Sequence, residues 1–488
     1  AKERAWLHEL SRKKKVILDI FTSPYALLNL PSFKNIESVI VSYQNSPSFQ
    51  NKSAQIIFGG LPAKGFLPVS ISKKGIINKG IETPFINRLS YGEPETVGMS
   101  SDSLNKIDSL AKYSIQKLMT PGIQILVARK GKVIYNKNFG HHTYEKSIKV
   151  TDSSIYDVAS LTKILATLPV IMSMEEKNIL NLEDSLSYLL PDYKNTNKSG
   201  ITIKSMLSHY SKLQPWIPFY VKTIDSISKK PLKELYQNIQ TKDYPTEVAK
   251  QMYLAKSYKD SIYNTIKTSE LIPDLEYKYS DLPYYILKDY IESYYKIDLN
   301  LLIDQTLFTP IGANYTSYLP LKKNLSNIVP TEVDSYFRHQ EIKGYVHDMG
   351  AAMLGGVGGH AGVFSTANDV AKIMQMYLNK GKYGGKTYFS SDTIDKFNTC
   401  YFCANDNRRG VGFDKPQLND EGPTCGCVSM SSFGHSGFTG TYTWADPDEE
   451  LVYVFMSNRT YPDASNNLLI KENIRTEIQR FIYEAIIE

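Results

Sequence analysis

IYDVASLTKILATL (Ile155–Leu168) places a lysine, Lys163, inside a run that is otherwise almost wholly apolar. A buried ammonium is costly unless it is paired or neutralised. Ser160 stands three residues earlier, and on a helix positions i and i+3 share one face. Either Lys163 reaches a surface, or a hydroxyl and an amine are placed together for chemistry. An apolar lead-in that becomes an apolar helix puts Ser160 at a helix N-terminus. Free N–H groups and the helix dipole there favour developing negative charge. One turn further in, burial predicts a lowered pKa for Lys163 and an amine able to accept a proton. The plainer reading of Ser160 is an N-cap, and the segment alone does not choose. Pro169 predicts a kink in the helix that follows. Ser-x-x-Lys by itself decides nothing, because Ser11, Ser70, Ser103, Ser109, Ser114 and Ser226 also have a lysine three residues on.

The whole chain narrows the choice. Its 488 residues, 42% hydrophobic, suffice for a large core. A net charge of +6 is small for this length and gives no reason to propose a nucleic acid or an anionic membrane as partner. The basic run Ser11–Lys15 precedes VILDIF and reads as a solvated strand entrance. No apolar stretch approaches the ~18 residues of a membrane span. No signal peptide is visible, but the chain opens AKERAW without Met, so a processed or truncated start is the expectation. Four cysteines stand as Cys400-x-x-Cys403 and Cys425-x-Cys427. Spacing favours disulfides over a four-thiolate zinc site, since C-x-C is an unusual zinc spacing, but it leaves the pairing and free thiols open. A disulfide reading implies an oxidising compartment.

Residues 1–85 alternate β and α. VILDIF and IESVIVSY read as strands, SFQNKSAQIIFGG as a helix, and LPVSIS as a further strand. Residues 86–98, rich in Pro, Gly and polar side chains, read as a linker. From Met99 the pattern changes. A capped helix over SSDSLNKIDSLAKYSIQKLM is followed by a hairpin, IQILVARKGKVIYNKNFG, turning at Lys130-Gly131. LKELYQNI reads as helical within a tyrosine-rich stretch, and LPYYILKDYIESYY, TANDVAKIMQMYL and IRTEIQRFIYEAI read as helices. TGTYTWADPDEELVYVFMSN reads as two strands around a turn. Strands at both ends with helices between predict one α+β domain over 99–488 whose sheet joins N- and C-terminal segments.

Two later stretches bear on Ser160. YKYSDLPYYIL sets Tyr279, Ser280 and Asp281 before a helix, and FGHSGFTGTYTW sets His435, Ser436 and Gly437 before a strand. The order Ser-x-x-Lys, Tyr-x-Asp, His-x-Gly resembles the penicillin-recognising serine hydrolases, which carry Ser-x-x-Lys, Tyr-x-Asn and Lys-Thr-Gly. That superfamily takes in class C β-lactamases, D,D-peptidases and related esterases and amidases. LLPDY, ITIKSMLSHYSKL and GHAGVFSTANDVAKIM extend the likeness, which covers roughly Met99 to the C-terminus.

The resemblance implies an antiparallel sheet flanked by helices, plus a helical domain. It implies Ser160 as the acylated nucleophile, Lys163 as its proton acceptor or the holder of its network, and Tyr279 in the proton traffic to the leaving group. Backbone N–H groups of Ser160 and Phe438 would form the oxyanion hole. Ser436 and Gly437 would face substrate. Asp281 stands where Asn is usual, which removes an amide donor and adds a negative charge. His435 stands where Lys is usual, which puts β-lactamase activity in doubt and points toward D-aminopeptidase, D,D-peptidase and esterase branches. The plainer reading of His435 is a packing residue at a strand end. A catalytically silent module that binds wall fragments is the alternative to a hydrolase.

VILDIFTSPYALLNLP, VIVSYQNS, AQIIFGG and AKGFLPVSI resemble the later half of the C-terminal α/β domain of family 3 glycoside hydrolases. This implies a parent in which a β-N-acetylglucosaminidase barrel lies upstream, a peptidoglycan-fragment or other small-molecule substrate, and a periplasmic or cell-surface location. No barrel is legible in this chain, so no glycosidase residues are assigned. No cofactor is implied either. GGVGGHAG (355–362) lacks a leading strand and reads as an active-site loop rather than a dinucleotide site. His347-Asp348 and His360 read as hydrogen-bonded structural groups before metal ligands. His141-His142 read as a surface turn. Trp216, Phe219 and Tyr220 either line the cleft or pack in the core.

Overall fold

The computed structural model describes residues 2–30, 33–71, 79–419 and 421–487, in two compact units, Ala1–Tyr91 and Gly92–Glu488. In the first unit α1 (Lys2–Lys13) leads into β1 (Ile17–Ile20). The β-branched runs pair in parallel, β1 with β2 (Ser38–Val41), Ile17 opposite Ser38. α2 (Pro47–Ile57) begins on a proline, whose missing N–H costs nothing in a first turn. Hydroxyls of Ser42 (2.8 Å) and Ser53 donate to Asp19 and tie α2 to the strands. The strand expected at 67–71 is absent. Leu67 N–H bonds Lys79 O in a loop contact (3.0 Å) rather than a ladder, and Ser72 lies outside the described residues. The stretch 86–98 contains a helical turn, Pro94–Val97, closed by Gly98 at φ 71°.

The second unit opens with a short helix, Ser101–Leu104, capped by Ser100, and then α3 (Lys106–Gln116). β3 (Gly122–Arg129) and β4 (Lys132–Gly140) form the expected hairpin, with Lys130 and Gly131 at φ 50° and 70° in a turn that suits the strand twist. The longer helices that follow include α4 (Leu168–Glu176), α5 (Tyr258–Thr268), α6 (Leu282–Tyr295) and α7 (Ala367–Leu378). β5 (Phe433–Ser436), β6 (Tyr442–Asp446) and β7 (Leu451–Ser457) precede α8 (Ile474–Glu484).

Within this unit the strands order β5-β6-β7-β3-β4, all antiparallel, so the last strand in sequence pairs with the first. β3 and β7 are buried along their whole length because helices cover both faces. Ile107 and Ala111 of α3 and Ile474, Ile478 and Ile482 of α8 pack with Ile125, Val127, Tyr453 and Phe455 in one core cluster. α7 also packs on β7. This is the α+β architecture predicted from strands at both ends. No helix among the described residues is long and apolar enough to cross a membrane.

Three local expectations change. The segment after Ser160 is helical but not one regular helix: a tight turn, Ala159–Leu161, runs into a wide π turn, Lys163–Thr167, and then α4. The irregularity precedes Pro169, which sits harmlessly in the first turn of α4. Partners from afar hold it, Tyr377 OH donating to Ile164 O and Thr167 Oγ1 to Gly359 O, both at 2.7 Å. LKELYQNI is not helical. Tyr236–Gln237 pairs with Met252–Leu254, and this pairing overrides helical spacing. His142 is no surface residue, because it is buried with Nε2 3.0 Å from Ser154 Oγ. His435 and Ser436 end β5 and lead through the turn into β6.

Candidate active site

Ser160 sits on the tight turn, just after Ala159, a non-glycine residue at φ 47°. Such a conformation is strained and persists only where its surroundings hold it. The buried carboxylate of Asp157 does so, accepting the N–H groups of Ala159 (2.8 Å) and His347 (2.7 Å). Lys163, one turn on, is 0% exposed and donates to Ser160 Oγ (2.9 Å) and His360 O (3.3 Å). Tyr279 OH donates to the same Oγ at 3.1 Å. The glycine-rich stretch 355–362 therefore borders this candidate site, lending carbonyls to Lys163 and Thr167.

The motif Tyr279-Ser280-Asp281 is strapped in place ahead of α6. Ser280 Oγ donates to Gln214 O (2.6 Å), Ser280 N–H to His209 Nδ1 (3.2 Å), and Asp281 N–H to Pro215 O (3.0 Å). These bonds also set Trp216 on the cleft wall, 41% exposed. Phe219 is core and Tyr220 packs, tilted, 5.1 Å from Phe337, so of the three aromatics Trp216 faces the cleft.

Asp281 Oδ1 lies 2.7 Å from Lys163 Nζ, an ion pair whose angle falls short of a hydrogen bond. This corrects the expectation of a lowered lysine pKa. Burial does oppose the ammonium, but the Asp281 carboxylate and then Tyr279 outweigh it, and the pKa is raised. Tyr279 is also raised, by burial first and against the pull of Lys163, so at neutral pH it is a phenol. Ser160 Oγ thus rests as acceptor from an ammonium and a phenol.

His435 Nδ1 lies 2.8 Å from Ser436 O. A carbonyl only accepts, so Nδ1 carries the proton and Nε2 presents a lone pair. Burial, then Arg409 and Lys163, lower its pKa to about 3, which leaves the ring neutral. Nε2 has no partner among the described residues, and the ring lies 5.9 Å from that of Tyr279. Position 435 therefore offers an acceptor where a lysine would offer a charge.

The β5–β6 turn is laced onto the Ser160 turn. Thr439 Oγ1 donates to Asp157 O (2.8 Å) and Thr441 Oγ1 to Val158 O (3.0 Å). Gly437 makes the approach feasible, since a Cβ there would lie 2.1 Å from Thr441 Oγ1 and 2.6 Å from Val158 O. The lacing brings Ser160, Ser436, Gly437 and Phe438 onto one cleft of about 840 Å³. It is within the range of small-molecule sites.

His360 Nε2 pairs with Asp348 Oδ1 (2.8 Å) and His347 Nε2 with Glu332 Oε2 (3.0 Å). Among the described residues no three His, Cys, Asp or Glu side chains cluster as metal ligands. The cysteines form Cys400–Cys403 and Cys425–Cys427 disulfides, a pairing that spacing left open. Sequence reasoning missed the arginines of the cleft, Arg408, Arg409, Arg459 and Arg475. Arg409 lies 5.2 Å from the Tyr279 ring and pairs with Asp414 (3.3 Å). Arg408 and Arg409 are adjacent, but no spacing links them to Arg459, to Arg475 or to the motifs, so only the fold reveals them.

Known proteins extend the picture. A protein of Salmonella agona named "Putative D-alanyl-D-alanine carboxypeptidase" is 28% identical over 401 residues, covering 78% of this chain and 88% of its own. The solved structure of EstCE1, a hydrolase with promiscuous acyltransferase activity, superposes with a TM-score of 0.58 at 16% identity, covering 78% of this chain and 99% of that one. A class C beta-lactamase does so at 0.55 and 14%, covering 78% and 95%. The fold is thus the one the three motifs imply. Since the Beta-lactamase family model matches residues 111–473, most of the molecule, the chain belongs to the beta-lactamase family of the β-lactamase-like serine hydrolase superfamily.

Proposed function

We propose that the protein is a serine hydrolase that forms an acyl-enzyme on Ser160 and cleaves an amide or ester in cell-wall-derived peptides, of the D,D-carboxypeptidase, D-aminopeptidase or esterase type. The observation that carries this reading is the convergence of Lys163 Nζ and Tyr279 OH on Ser160 Oγ at 2.9 and 3.1 Å. The Ser160 proton passes to Lys163 as Lys163 hands one to Asp281 Oδ1. Oγ then attacks the substrate carbonyl carbon, and the N–H groups of Ser160 and Phe438 receive the oxyanion. When the C–N or C–O bond breaks, Tyr279 gives its proton to the leaving group and recovers one through Lys163. Water enters by the reverse route and frees the acid.

Labelling with a fluorophosphonate or a fluorescent penicillin, mapped by mass spectrometry, is expected at Ser160 and absent in Ser160→Ala. Label that survives the substitution sinks the assignment. A second reading, a silent binding module, draws on Asp281 and on the ammonium it holds. Turnover of p-nitrophenyl esters or D-amino-acid amides, lost in Ser160→Ala, would exclude it.

The β-N-acetylglucosaminidase parent and the periplasmic or surface location belong to the same proposal. They are supported by the parallel β1–β2 pair beside α2 and by the two disulfides. Sequencing the coding region upstream of codon 1 is expected to reveal a family 3 barrel, and an unrelated domain there would refute the fusion.

A further inference from the structure

The cleft holds more positive charge than its carboxylates balance. Asp281 is engaged by Lys163, Asp348 by His360, and Asp414 by both Arg408 and Arg409. Two more arginines line the same cleft, Arg459 just past β7 and Arg475 in the first turn of α8. Neither has a carboxylate within ion-pair distance among the described residues. Arg459 is 3% exposed. Its Nη1 caps Ala464 O (3.3 Å) and Asn466 O (2.5 Å), and its guanidinium lies 4.6 Å from the ring centroid of Phe438. Its buried Nε has no acceptor among the described residues. Among the described residues Arg475 donates to Thr441 O, at 3.4 Å, and lies 5.7 Å from the Tyr442 ring.

Carbonyl caps satisfy part of Arg459 but leave its charge unmet. The other buried arginines each keep an acid: Arg338 has Asp334 (2.8 Å), Arg129 has Glu449 (2.8 Å) and Arg409 has Asp414 (3.3 Å). Burial and the neighbouring charge of Arg475 lower Arg459 to about 10, and burial lowers Arg475 as well. Two half-dry cations that repel one another are costly to maintain, and an anion between them would relieve both. Their fork geometry suits a carboxylate. Meanwhile His435, at the position where a lysine is usual, is neutral.

We infer that Arg459 and Arg475 form a carboxylate subsite on the Phe438 side of the cleft, so that the preferred substrate carries a free carboxylate near its scissile bond. The charge usual at the start of the third motif has moved to the end of β7 and the start of α8. Arg475 contacts the anion, and Arg459 sets the field beneath Phe438. The inference rests on the hydrolase reading for its substrate, but the subsite is testable without turnover.

Calorimetry with N-acetyl-D-alanine and with its neutral amide is the binding arm, and inorganic phosphate is the control. The carboxylate is expected to bind at least about tenfold tighter than the amide, a preference lost in Arg475→Ala and partly kept in Arg475→Lys. Equal binding of acid and amide by the wild type, a preference unchanged in Arg475→Ala, or phosphate binding as tightly as the carboxylate would each overturn the subsite. In the kinetic arm, an acyl-D-alanyl-D-lactate ester is compared with its methyl ester. The free acid is expected to lead in kcat/KM, with the ratio falling toward one in Arg475→Ala. Carboxylate binding without turnover of either ester sinks the hydrolase reading and leaves the subsite standing. Turnover without acid preference does the reverse.

Discussion

Asp281 is the residue at which this chain departs most consequentially from the pattern it resembles. An asparagine there would leave Lys163 to the opposing effect of burial, and its pKa would fall. The carboxylate instead holds the ammonium at 2.7 Å. An ammonium is no base, so the proton must be removable within the pair. Transfer from Lys163 to Asp281 costs no net proton, and kcat/KM is therefore expected to be flat from about pH 6 to 8 in the wild type. In Asp281→Asn the lysine must lose its proton to solvent. Its rate is expected to fall about 100-fold at neutral pH and to climb about tenfold per pH unit toward the lowered lysine pKa. A flat profile in Asp281→Asn would show that the carboxylate has no part in the relay. The three motifs were legible from sequence because residue type and order carry them. The sign of the Lys163 shift was not, since it depends on a distance between positions 163 and 281 that only folding sets.

At the scale of elements, the site is made by two turns pressed together, the Ser160 turn and the β5–β6 turn. Thr439 and Thr441 bond the carbonyls of Asp157 and Val158, and Gly437 leaves room for them. Gly437→Ala puts a methyl into the Thr441 side chain and the backbone carbonyl of Val158, and the carbonyl contact is relieved only by moving the chain. The turns must separate, taking the Phe438 N–H from the reacting carbonyl. A loss of about 10² to 10³ in kcat is expected, comparable to removing one oxyanion donor, with near-native circular dichroism. Unchanged kcat would mean that the turn gives way without cost. The helix after Ser160, the hairpin and α6 to α8 were readable from periodicity and turn residues. The π turn was not, because its cause is Tyr377 and Gly359, some 200 residues away. LKELYQNI failed for the same reason, its partner strand lying at Met252–Leu254.

The second unit closes because β7 pairs with β3, which joins its two ends, and the core so formed keeps His142, His209 and His435 from water. His142, His209 and His435 are all buried, the last two each beside Tyr279 and His142 beside Ser154. Burial is the largest cause of the shift for each: His142 is lowered to about 4, His435 to about 3, and His209 well below its usual value. None of the three was legible as a titration site, since sequence shows a histidine but not its dryness. Above their ordinary pKa of about 6.5 both folded and unfolded chains hold them neutral, and they leave stability unchanged. Below it the unfolded chain binds protons that the folded chain refuses. Stability is then lost at up to about 1.4 kcal/mol per pH unit for each histidine, until the folded pKa is reached. Asp157, raised by burial, works in the opposite direction and offsets part of the loss. Carboxylates held low, such as Asp334 and Asp414, act only nearer the ordinary range of Asp, about pH 4. Urea unfolding is therefore expected to show a loss of roughly 2 to 4 kcal/mol between pH 7.5 and 5.5. His142→Gln, far from the cleft, should remove about a third of that slope while leaving the acid preference of the substrate unchanged. A midpoint that holds from pH 7.5 to 5.5 would mean that water or a counter-charge reaches these rings in the folded protein.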